Sequence, residues 1–234
     1  VLLRHYDIAT PLISYHEHNK LTRLDAVFGA LAAGDVALVS DAGTPGISDP
    51  GYELVGEAIR RGFRVESLPG PSAIIAALVA SGLPTDGFVY VGFLPRKAAA
   101  RADFLAVLAS ERRTLVAYES PNRLLDALAS VRDTLGDRPV CVAREISKIY
   151  EEFFRGTVSA ALAHYEANPP RGEIVLLIGG ALSQDDAVWD EGRVRAELRA
   201  LLDAGAPLSR AAREIATRAG WSKRDVYALG NQMQ

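Results

Sequence analysis

The stretch DVALVSDAGTPGISDPG, residues 35–51, joins a nearly all-apolar run to a loop rich in glycine and proline. Residues 35–40 have the pattern of a strand that is covered on both faces in a parallel sheet. Asp49-Pro50 has the form of an N-cap followed by a first-turn proline, which predicts a helix over residues 50–61 that ends at Gly62. Strand, loop and helix in this order predict an α/β fold.

The segments around this stretch continue the alternation of strands and helices. Further predicted elements are strands at 12–15 and 63–68, a helix from Leu21 to Gly34, and a helix opened by Pro69-Gly70-Pro71-Ser72. The link over residues 82–87 is rich in glycine and proline and predicts a domain boundary. Residues 1–83 are therefore expected to form an N-terminal α/β domain.

Residues 84–182 are expected to form a second α/β domain. Its predicted strands are 88–93, 114–118, 140–144, 151–155 and 173–178, with helices near 97–110 and 121–135. Strands 140–144 and 151–155 follow each other directly, which predicts a mixed sheet. From about residue 186 to 234 the apolar spacing is helical only, so a third, helical unit is expected.

Composition narrows the classes of protein to consider. The net charge of −3 argues against a surface that is basic all over, so contact with nucleic acid needs a local patch. The single cysteine, Cys141, lies in an apolar strand pattern, which favours a reducing, cytoplasmic location. The longest apolar run, residues 73–80, is far shorter than the roughly 20 residues of a membrane span. No membrane association is expected.

The glycine-rich loop at residues 41–51 is the most informative candidate site, because ligands in open α/β sheets bind beyond the carboxyl ends of strands. It lacks the Lys-Ser/Thr ending of a P-loop, and no Gly-x-Gly-x-x-Gly follows a strand. From the residues alone, a binding loop and a structural turn remain open. Ser72 follows the next predicted strand and has the same two interpretations, with a helix cap the commoner.

Five blocks of sequence, in order, resemble one family. They are SYHEHN at 14–19, SDAGTPGISDPG at 40–51, PGPSA at 69–73, YESPNR at 118–123 and REISK at 144–148. The chain resembles the 16S ribosomal RNA (cytidine-2′-O)-methyltransferases, a branch of the tetrapyrrole methylase superfamily. That family begins with a further strand and a Pro/Gly turn, so the first strand of the N-terminal sheet is expected to be missing here.

The resemblance implies two α/β domains with S-adenosylmethionine bound in the cleft between them, usually in a homodimer. The reaction implied is 2′-O-methylation of a cytidine ribose in 16S ribosomal RNA of the small ribosomal subunit. The residues it implies for cofactor binding are Asp41, Ala42, Gly43, Thr44, Gly46, Ile47, Ser48, Ser72, Ala73, Tyr118, Glu173 and Ile174. The glycine-rich loop is expected to meet the cofactor mostly through backbone atoms.

Methyl transfer to a hydroxyl requires a group that accepts the proton. The candidates are Glu119, Glu145 and, if burial depresses its pKa, Lys148, and each is equally suited to a structural ion pair. His16, His18, Asn19 and Arg123 are expected to face the substrate. His16 and His18 are two residues apart and have no cysteine or third histidine near them, so no metal site is expected.

The C-terminal segment 208–227 has the pattern of a helix-turn-helix, with Gly220 at the turn and Ser222 capping the second helix. Its proposed RNA contacts are Arg210, Arg213, Lys223 and Arg224, although a solvated basic face has the same composition. Two other functions remain open. One is a methyltransferase that acts on a tetrapyrrole or another small molecule, and the other is a ligand-sensing, DNA-binding regulator.

Overall fold

The computed structural model describes residues 2–181 and 189–233. Residues 182–188, where the second predicted domain ends and the helical unit is predicted to begin, lie outside the described residues. The strands are β1 Phe88–Phe93, β2 Thr114–Glu119, β3 Pro139–Arg144, β4 Glu152–Thr157 and β5 Ile174–Ile178. The helices are α1 Leu2–His5, α2 Leu24–Ala33, α3 Tyr52–Arg60, α4 Ala73–Ser81, α5 Ala98–Val107, α6 Leu124–Leu135, α7 Val158–Ala167, α8 Glu191–Asp203, α9 Leu208–Ala219 and α10 Lys223–Gln232, and a 3₁₀ turn, Pro121–Arg123, precedes α6.

One five-stranded sheet with the order β1-β2-β5-β3-β4 forms the centre of the molecule. Strands β1 and β2 are parallel, whereas β5 runs antiparallel to both β2 and β3, and β4 runs antiparallel to β3. The predicted mixed sheet is therefore confirmed, and all five predicted strands of residues 84–182 form within one or two residues of their expected bounds.

The two faces of this sheet are both covered, because successive side chains of a strand point to opposite sides. Leu115, Ala117 and Val142 point to the face where α5, α6 and α7 pack. Val116 and Cys141 point to the other face, against α4. The buried position of the Cys141 thiol agrees with its predicted place in a strand.

Helix α4 lies in the predicted N-terminal domain, yet it packs on the sheet of the second. Its Ile74, Ala77 and Leu78 are buried against the face that carries Val116 and Cys141. This apolar helix has little amphipathic pattern of its own, so only the tertiary contacts reveal which sheet it covers. It brings the start of α4, and hence Ser72, to the second sheet.

The predicted strands at 12–15, 35–40 and 63–68 are wrong, since the structure assigns no strand within residues 2–87. These extended segments lack the hydrogen-bond ladder with a neighbour that defines a strand. Their side chains are accordingly open to solvent, with Val39 71% and Leu68 87% exposed. The core of this part is small, formed mainly by α2 and α3 around Val27, Phe28 and Leu54.

Helix α3 begins later than predicted. Gly51, at a φ of 155°, is its N-cap, so Asp49-Pro50 belongs to the preceding turn rather than to the helix. A Cβ at position 51 would lie 2.9 Å from Leu38 Cδ2 and 3.3 Å from Gly46 Cα, which shows how closely the backbone folds back here. The predicted end of the helix is confirmed, because Gly62 adopts a left-handed φ of 81°.

Helices α8, α9 and α10 form the C-terminal helical unit around a core of their own. Trp189, Leu198, Ile215 and Val226 are buried in it. As predicted, Gly220 ends α9 in the left-handed conformation, and the Ser222 hydroxyl caps α10 by accepting the N–H of Asp225 at 3.1 Å. Among the described helices, none is long and apolar enough to cross a membrane.

Candidate active site

One edge of the sheet gathers the predicted site residues that follow Gly87 and precede the helical unit. The carboxyl ends of β1, β2 and β3 meet the amino ends of β4 and β5 there, as the pairs Phe93–Tyr118, Tyr118–Val175 and Arg144–Ile174 show. The loops after β1 and β2, the β3–β4 loop and the turn before β5 therefore lie at the same edge. Two sequence blocks, at 118–123 and 144–148, are brought together in this way.

Tyr118 connects this edge to the glycine-rich loop through Tyr90. The rings of Tyr118 and Tyr90 meet edge to face, with centroids 5.5 Å apart. The Tyr90 hydroxyl in turn lies 2.5 Å from Ser48 Oγ, in hydrogen-bond contact. Burial raises the pKa of both tyrosines, so both phenols are neutral near pH 7. Residues from the two predicted α/β domains thus share one cluster.

The glycine-rich loop contacts the turn that precedes α4. Thr44 Oγ1 donates a hydrogen bond of 3.0 Å to the carbonyl oxygen of Pro71. Gly43, Gly46 and Ser48 all have positive φ, at 71°, 81° and 57°. Glycine adopts these φ angles without steric cost and lets a ligand approach the backbone closely. The N–H of Ile47 is bonded within the loop, to the Thr44 carbonyl oxygen at 3.1 Å. Asp41, Ala42 and Ile47 complete this stretch.

Ser72 and Ala73 lie beside the same cluster. Ser72 occupies the N-cap position of α4, but its hydroxyl makes no capping hydrogen bond. The structure therefore does not support the interpretation of this hydroxyl as a helix cap. Ala73, like Tyr90 and Tyr118, packs against the buried apolar cluster that α4 forms with the sheet.

Glu119 is enclosed at the end of β2, with 2% of the residue exposed. Its Oε1 accepts the N–H of Ser120 at 2.7 Å, and its Oε2 lies 3.2 Å from a guanidinium nitrogen of Arg123. Burial raises the pKa of Glu119, while the Ser120 N–H and the Arg123 charge oppose that rise. The pair has the geometry of an internal ion pair that fixes Arg123.

Glu145, Lys148 and Glu173 form a second charged group at the edge. Lys148 Nζ lies 2.9 Å from Glu145 Oε1 and 3.0 Å from Glu173 Oε2. Glu145 Oε1 also accepts the backbone N–H of Glu173 at 2.9 Å. This N–H and the Lys148 ammonium lower the pKa of Glu145. Glu145 itself has a left-handed φ of 49°, which is uncommon outside glycine.

Lys148 does not meet the condition on which it was a candidate base. Its side chain is 46% exposed, and its hydrogen bonds to Glu145 and Glu173 raise its pKa. It is therefore a cation at neutral pH and cannot accept a proton. The condition of a burial-depressed pKa is not met, because Lys148 reaches two carboxylates instead of an apolar pocket.

The block at residues 14–19 forms a turn that Asn19 organises. Asn19 Oδ1 accepts the N–H of His16 at 2.7 Å, and Asn19 Nδ2 donates to the Ser14 carbonyl oxygen at 3.1 Å. The imidazoles of His16 and His18 are exposed, with centroids 6.1 Å apart. Lys20 pairs with Glu53 of α3 and so ties this turn to the helix that follows the glycine-rich loop.

The cations of the helical unit are open to solvent. Arg210, Arg213, Lys223 and Arg224 are all exposed on α9 and α10, and the carboxylate nearest to Arg224 is the adjacent Asp225, at 3.7 Å. Across residues 2–181 and 189–233, no three His, Cys, Asp or Glu side chains cluster in a way that could hold a metal ion.

Three residues at this edge were not singled out from the sequence: Tyr90, Phe93 and Arg96. Phe93 packs on Tyr118, with ring centroids 5.6 Å apart, and Arg96 lies in the loop after β1. The available signal was the segment GFLPRK at 92–97, which places an aromatic and two cations beyond a strand end. Tyr90 gave no signal, because within a strand it resembles any core residue.

The chain is similar to one large family and to many curated proteins. Residues 4–162 match the tetrapyrrole (corrin/porphyrin) methylases. The ribosomal RNA small subunit methyltransferase I of Synechocystis sp. is 45% identical, over 100% of this chain and 84% of that protein. The protein of the same name in Pseudomonas aeruginosa is 43% identical, over 100% of this chain and 84% of that protein. The one in Escherichia coli O157:H7 is 41% identical, over 100% of this chain and 82% of that protein.

Two solved structures share the fold at low sequence identity. The methyltransferase CobJ superimposes with a TM-score of 0.53 at 20% identity, covering 70% of this chain and 73% of that one. The cobalt precorrin-4 methyltransferase CbiF gives a TM-score of 0.51 at 18% identity, covering 74% and 77%. At these identities the likeness shows the fold alone.

Proposed function

This chain belongs to the ribosomal RNA small subunit methyltransferase I family, within the tetrapyrrole methylases, and we propose that it methylates a cytidine ribose 2′-oxygen of 16S ribosomal RNA. It is an S-adenosylmethionine-dependent methyltransferase. One structural observation carries the proposal: the Ser48–Tyr90–Tyr118 contact joins the glycine-rich loop to the strand ends of the second domain.

The residues at this junction fit S-adenosylmethionine. The positive φ angles of Gly43, Gly46 and Ser48 allow the loop backbone to approach such a ligand closely, and the Ser72 hydroxyl is not used as a cap. Tyr118 offers an aromatic surface, and Glu173-Ile174 approaches from β5. We therefore propose that the cofactor lies between residues 1–83 and 84–182. When bound, it supplies a methyl group activated on a sulfonium sulfur.

Glu145 is the proton acceptor that we propose for the ribose hydroxyl. Lys148 is a cation, and Glu119 is enclosed and engaged by Arg123 and Ser120. Glu145 lies at the active edge, the edge of the sheet where the carboxyl ends of β1, β2 and β3 meet the amino ends of β4 and β5. Both of its side-chain hydrogen bonds use Oε1, so Oε2 has the capacity to accept the proton. Its depressed pKa keeps it ionised at neutral pH, as a base requires.

Substrate RNA is proposed to approach this edge across the turn at His16, His18 and Asn19 and across Arg123. The exposed cations of α9 and α10 would hold more distant phosphates, because such contacts position an RNA without reading its sequence. A homodimer in the cytoplasm is also part of the proposal. The resemblance supports the dimer, and the exposed Ile149 and Tyr150 offer apolar surface for it. Sedimentation analysis measures the mass directly.

Methyl transfer to small ribosomal subunits that lack the modification tests the function. We expect saturable S-adenosylmethionine binding by calorimetry and tritium incorporation at a ribose 2′-oxygen. That position is recognised by resistance of the adjacent phosphodiester to alkali, since a methylated 2′-oxygen cannot attack it. Binding without transfer to RNA would favour a small-molecule methyltransferase. Sequence-specific duplex DNA binding without turnover would favour the regulator.

The Glu145→Gln substitution tests the proposed base. Removing a general base lowers kcat by about 10²- to 10⁴-fold. We expect a loss in that range with an unchanged dissociation constant for S-adenosylmethionine, because the amide keeps the Oε1 acceptor. Glu119→Gln serves as the comparison. We expect it to reduce thermal stability and to change kcat much less than Glu145→Gln does. A Glu145→Gln enzyme with near-normal kcat contradicts the assignment.

A further inference from the structure

A groove of about 470 Å³ opens between the loops that follow β1 and β2. Because β1 and β2 are parallel neighbours, these two loops leave the sheet side by side at the active edge. The groove is lined by Phe93, Leu94, Pro95, Arg96, Ser120 and Arg123. Phe93 also packs on Tyr118, so the groove shares a wall with the proposed cofactor site.

The charge of this groove is positive. Two arginines and no carboxylate line it, and the nearby Glu119 carboxylate lies buried behind Arg123. Arg96 is exposed, and no partner for its guanidinium is found within the described part of the chain. A third arginine, Arg101, is buried beneath the loop and donates to the carbonyl oxygens of Pro95 and Arg96, both at 3.4 Å. The groove therefore attracts anions.

Arg123 is held in place in advance of any ligand. One of its terminal nitrogens donates to the Leu94 carbonyl oxygen and lies 3.2 Å from Glu119 Oε2. Its Nε is buried and, among the described residues, has no hydrogen-bond partner. The neighbouring Glu119 Oε2 is likewise buried without a hydrogen-bond partner in the described structure, so the buried side of the guanidinium faces its carboxylate rather than the groove. The guanidinium thus has a fixed position at the wall of the groove.

Phe93 adds an aromatic surface beside the two arginines. Its side chain is 56% exposed even though its ring contacts Tyr118. An exposed aromatic ring next to cations is the combination with which proteins bind single-stranded nucleic acid, because bases stack on the ring while cations meet the phosphates. The same pair of features is not expected of a site for a small carboxylate alone.

We propose that this groove binds the phosphodiester next to the target ribose, with Arg96 and Arg123 on the phosphate and Phe93 stacked on a neighbouring base. The inference rests on the proposed function, since it assumes an RNA substrate. It assigns Arg96 and Phe93 as substrate-binding residues and makes the GFLPRK segment part of the active site. An unpaired, unstacked stretch of RNA is the form that fits such a groove.

Arg96→Gln and Phe93→Leu test the proposal separately. Arg123 is unsuitable because its removal would leave the buried Glu119 unpaired. We expect Arg96→Gln to weaken binding of a labelled single-stranded oligoribonucleotide about tenfold and to lower the salt slope by about 0.7, the value for one phosphate contact. Phe93→Leu should weaken binding about tenfold without changing the slope, since stacking involves no counterion release.

Arg132→Gln is the matched control, an exposed arginine at the opposite end of α6 that pairs only with the adjacent Asp133 among the described residues. It should bind RNA like the wild type. Normal RNA binding by Arg96→Gln would overturn the proposal, and so would weaker S-adenosylmethionine binding with normal RNA binding, which would assign the groove to the cofactor carboxylate.

Measuring methyl transfer to small subunits beside RNA binding, for the wild type and for Arg96→Gln, separates this inference from the proposed function. If the wild type methylates small subunits and Arg96→Gln does so equally well, the groove inference fails and the function stands. If the wild type transfers no methyl group to RNA but Arg96→Gln still weakens RNA binding, the groove is an RNA-binding site, but the proposed function fails and the placement beside a target ribose fails with it. If the wild type binds no RNA, both fail.

Discussion

At the scale of single residues, the site depends on charges whose partners fix their protonation. Lys148 is held as a cation by two carboxylates, and Glu145 is held as an anion by Lys148 and a backbone N–H. Glu119 differs because burial raises its pKa while Arg123 opposes that effect. Three residues among which the sequence did not choose a proton acceptor therefore differ in their surroundings and in the direction of their pKa shifts.

Gly172→Ala is expected to disturb Glu145. A Cβ at position 172 would overlap the Glu145 carboxylate, and Gly172 also has a left-handed φ of 79°. Glu145 would have to leave its hydrogen bonds to Lys148 and Glu173. We expect methyl transfer to fall at least tenfold, together with a loss of about 1–2 kcal/mol in the free energy of unfolding from the left-handed alanine. Steady-state kinetics and urea denaturation measure the two effects.

Gly62→Ala is the control for that substitution. Gly62 has a similar φ of 81°, but a Cβ there would meet nothing within 4 Å. It should lose a similar free energy of unfolding and keep full activity. Equal losses of activity in both variants would show that Gly172 acts through stability alone.

At the scale of elements, the C-terminal helices depend on local capping. Ser222→Ala removes the hydroxyl that accepts the N–H of Asp225 at the start of α10. We expect a loss of about 1 kcal/mol in the free energy of unfolding. Amide hydrogen exchange in α10 should quicken accordingly, because the first turn frays when its N–H groups are unsatisfied.

Ser209→Ala is the matched substitution, since Ser209 is an exposed hydroxyl near the start of α9 for which the described structure gives no capping bond. Exchange in α9 and α10 should stay at the wild-type rate. If Ser209→Ala and Ser222→Ala have the same effect, the cap is not what stabilises α10.

At the scale of the whole molecule, paired carboxylates make stability depend on pH. The Arg113 side chain and backbone N–H lower the pKa of Glu111 to about 2. Glu111 therefore stabilises the fold above its ordinary pKa near 4.5, and this contribution is lost as pH falls toward 2. The raised pKa of Glu119 acts in the opposite direction, because the folded state holds that proton more tightly.

Glu111→Gln is thus expected to reduce the acid sensitivity of folding. The variant should be less stable than the wild type at pH 6, and the difference should shrink as pH falls from about 4.5 to about 2. Urea denaturation at a series of pH values measures it. Glu166→Gln, at an exposed residue with no ion pair in the described structure, should keep the wild-type pH profile. A constant difference across this range would contradict the assigned pKa.

The sequence by itself determined the strands of the five-stranded sheet, the helical unit and the family. Strands 114–119, 139–144 and 174–178 are short apolar runs. Their apolar pattern is a local property of the chain, so it can be recognised from the sequence. The cap at Ser222 and the turn at Gly220 are equally local. The five blocks identified the family because their order and residue types can be read from the sequence without any knowledge of contacts.

Only the tertiary structure decided which groups meet. Ser48 and Tyr90 are 42 residues apart, and nothing near either residue specifies the other. The same holds for α4, which covers the sheet of the second domain, and for the extended segments at 35–40 and 63–68, which form no ladder because a strand requires a neighbour. Contacts between distant residues depend on the whole packing, and so do the charge states at the active edge.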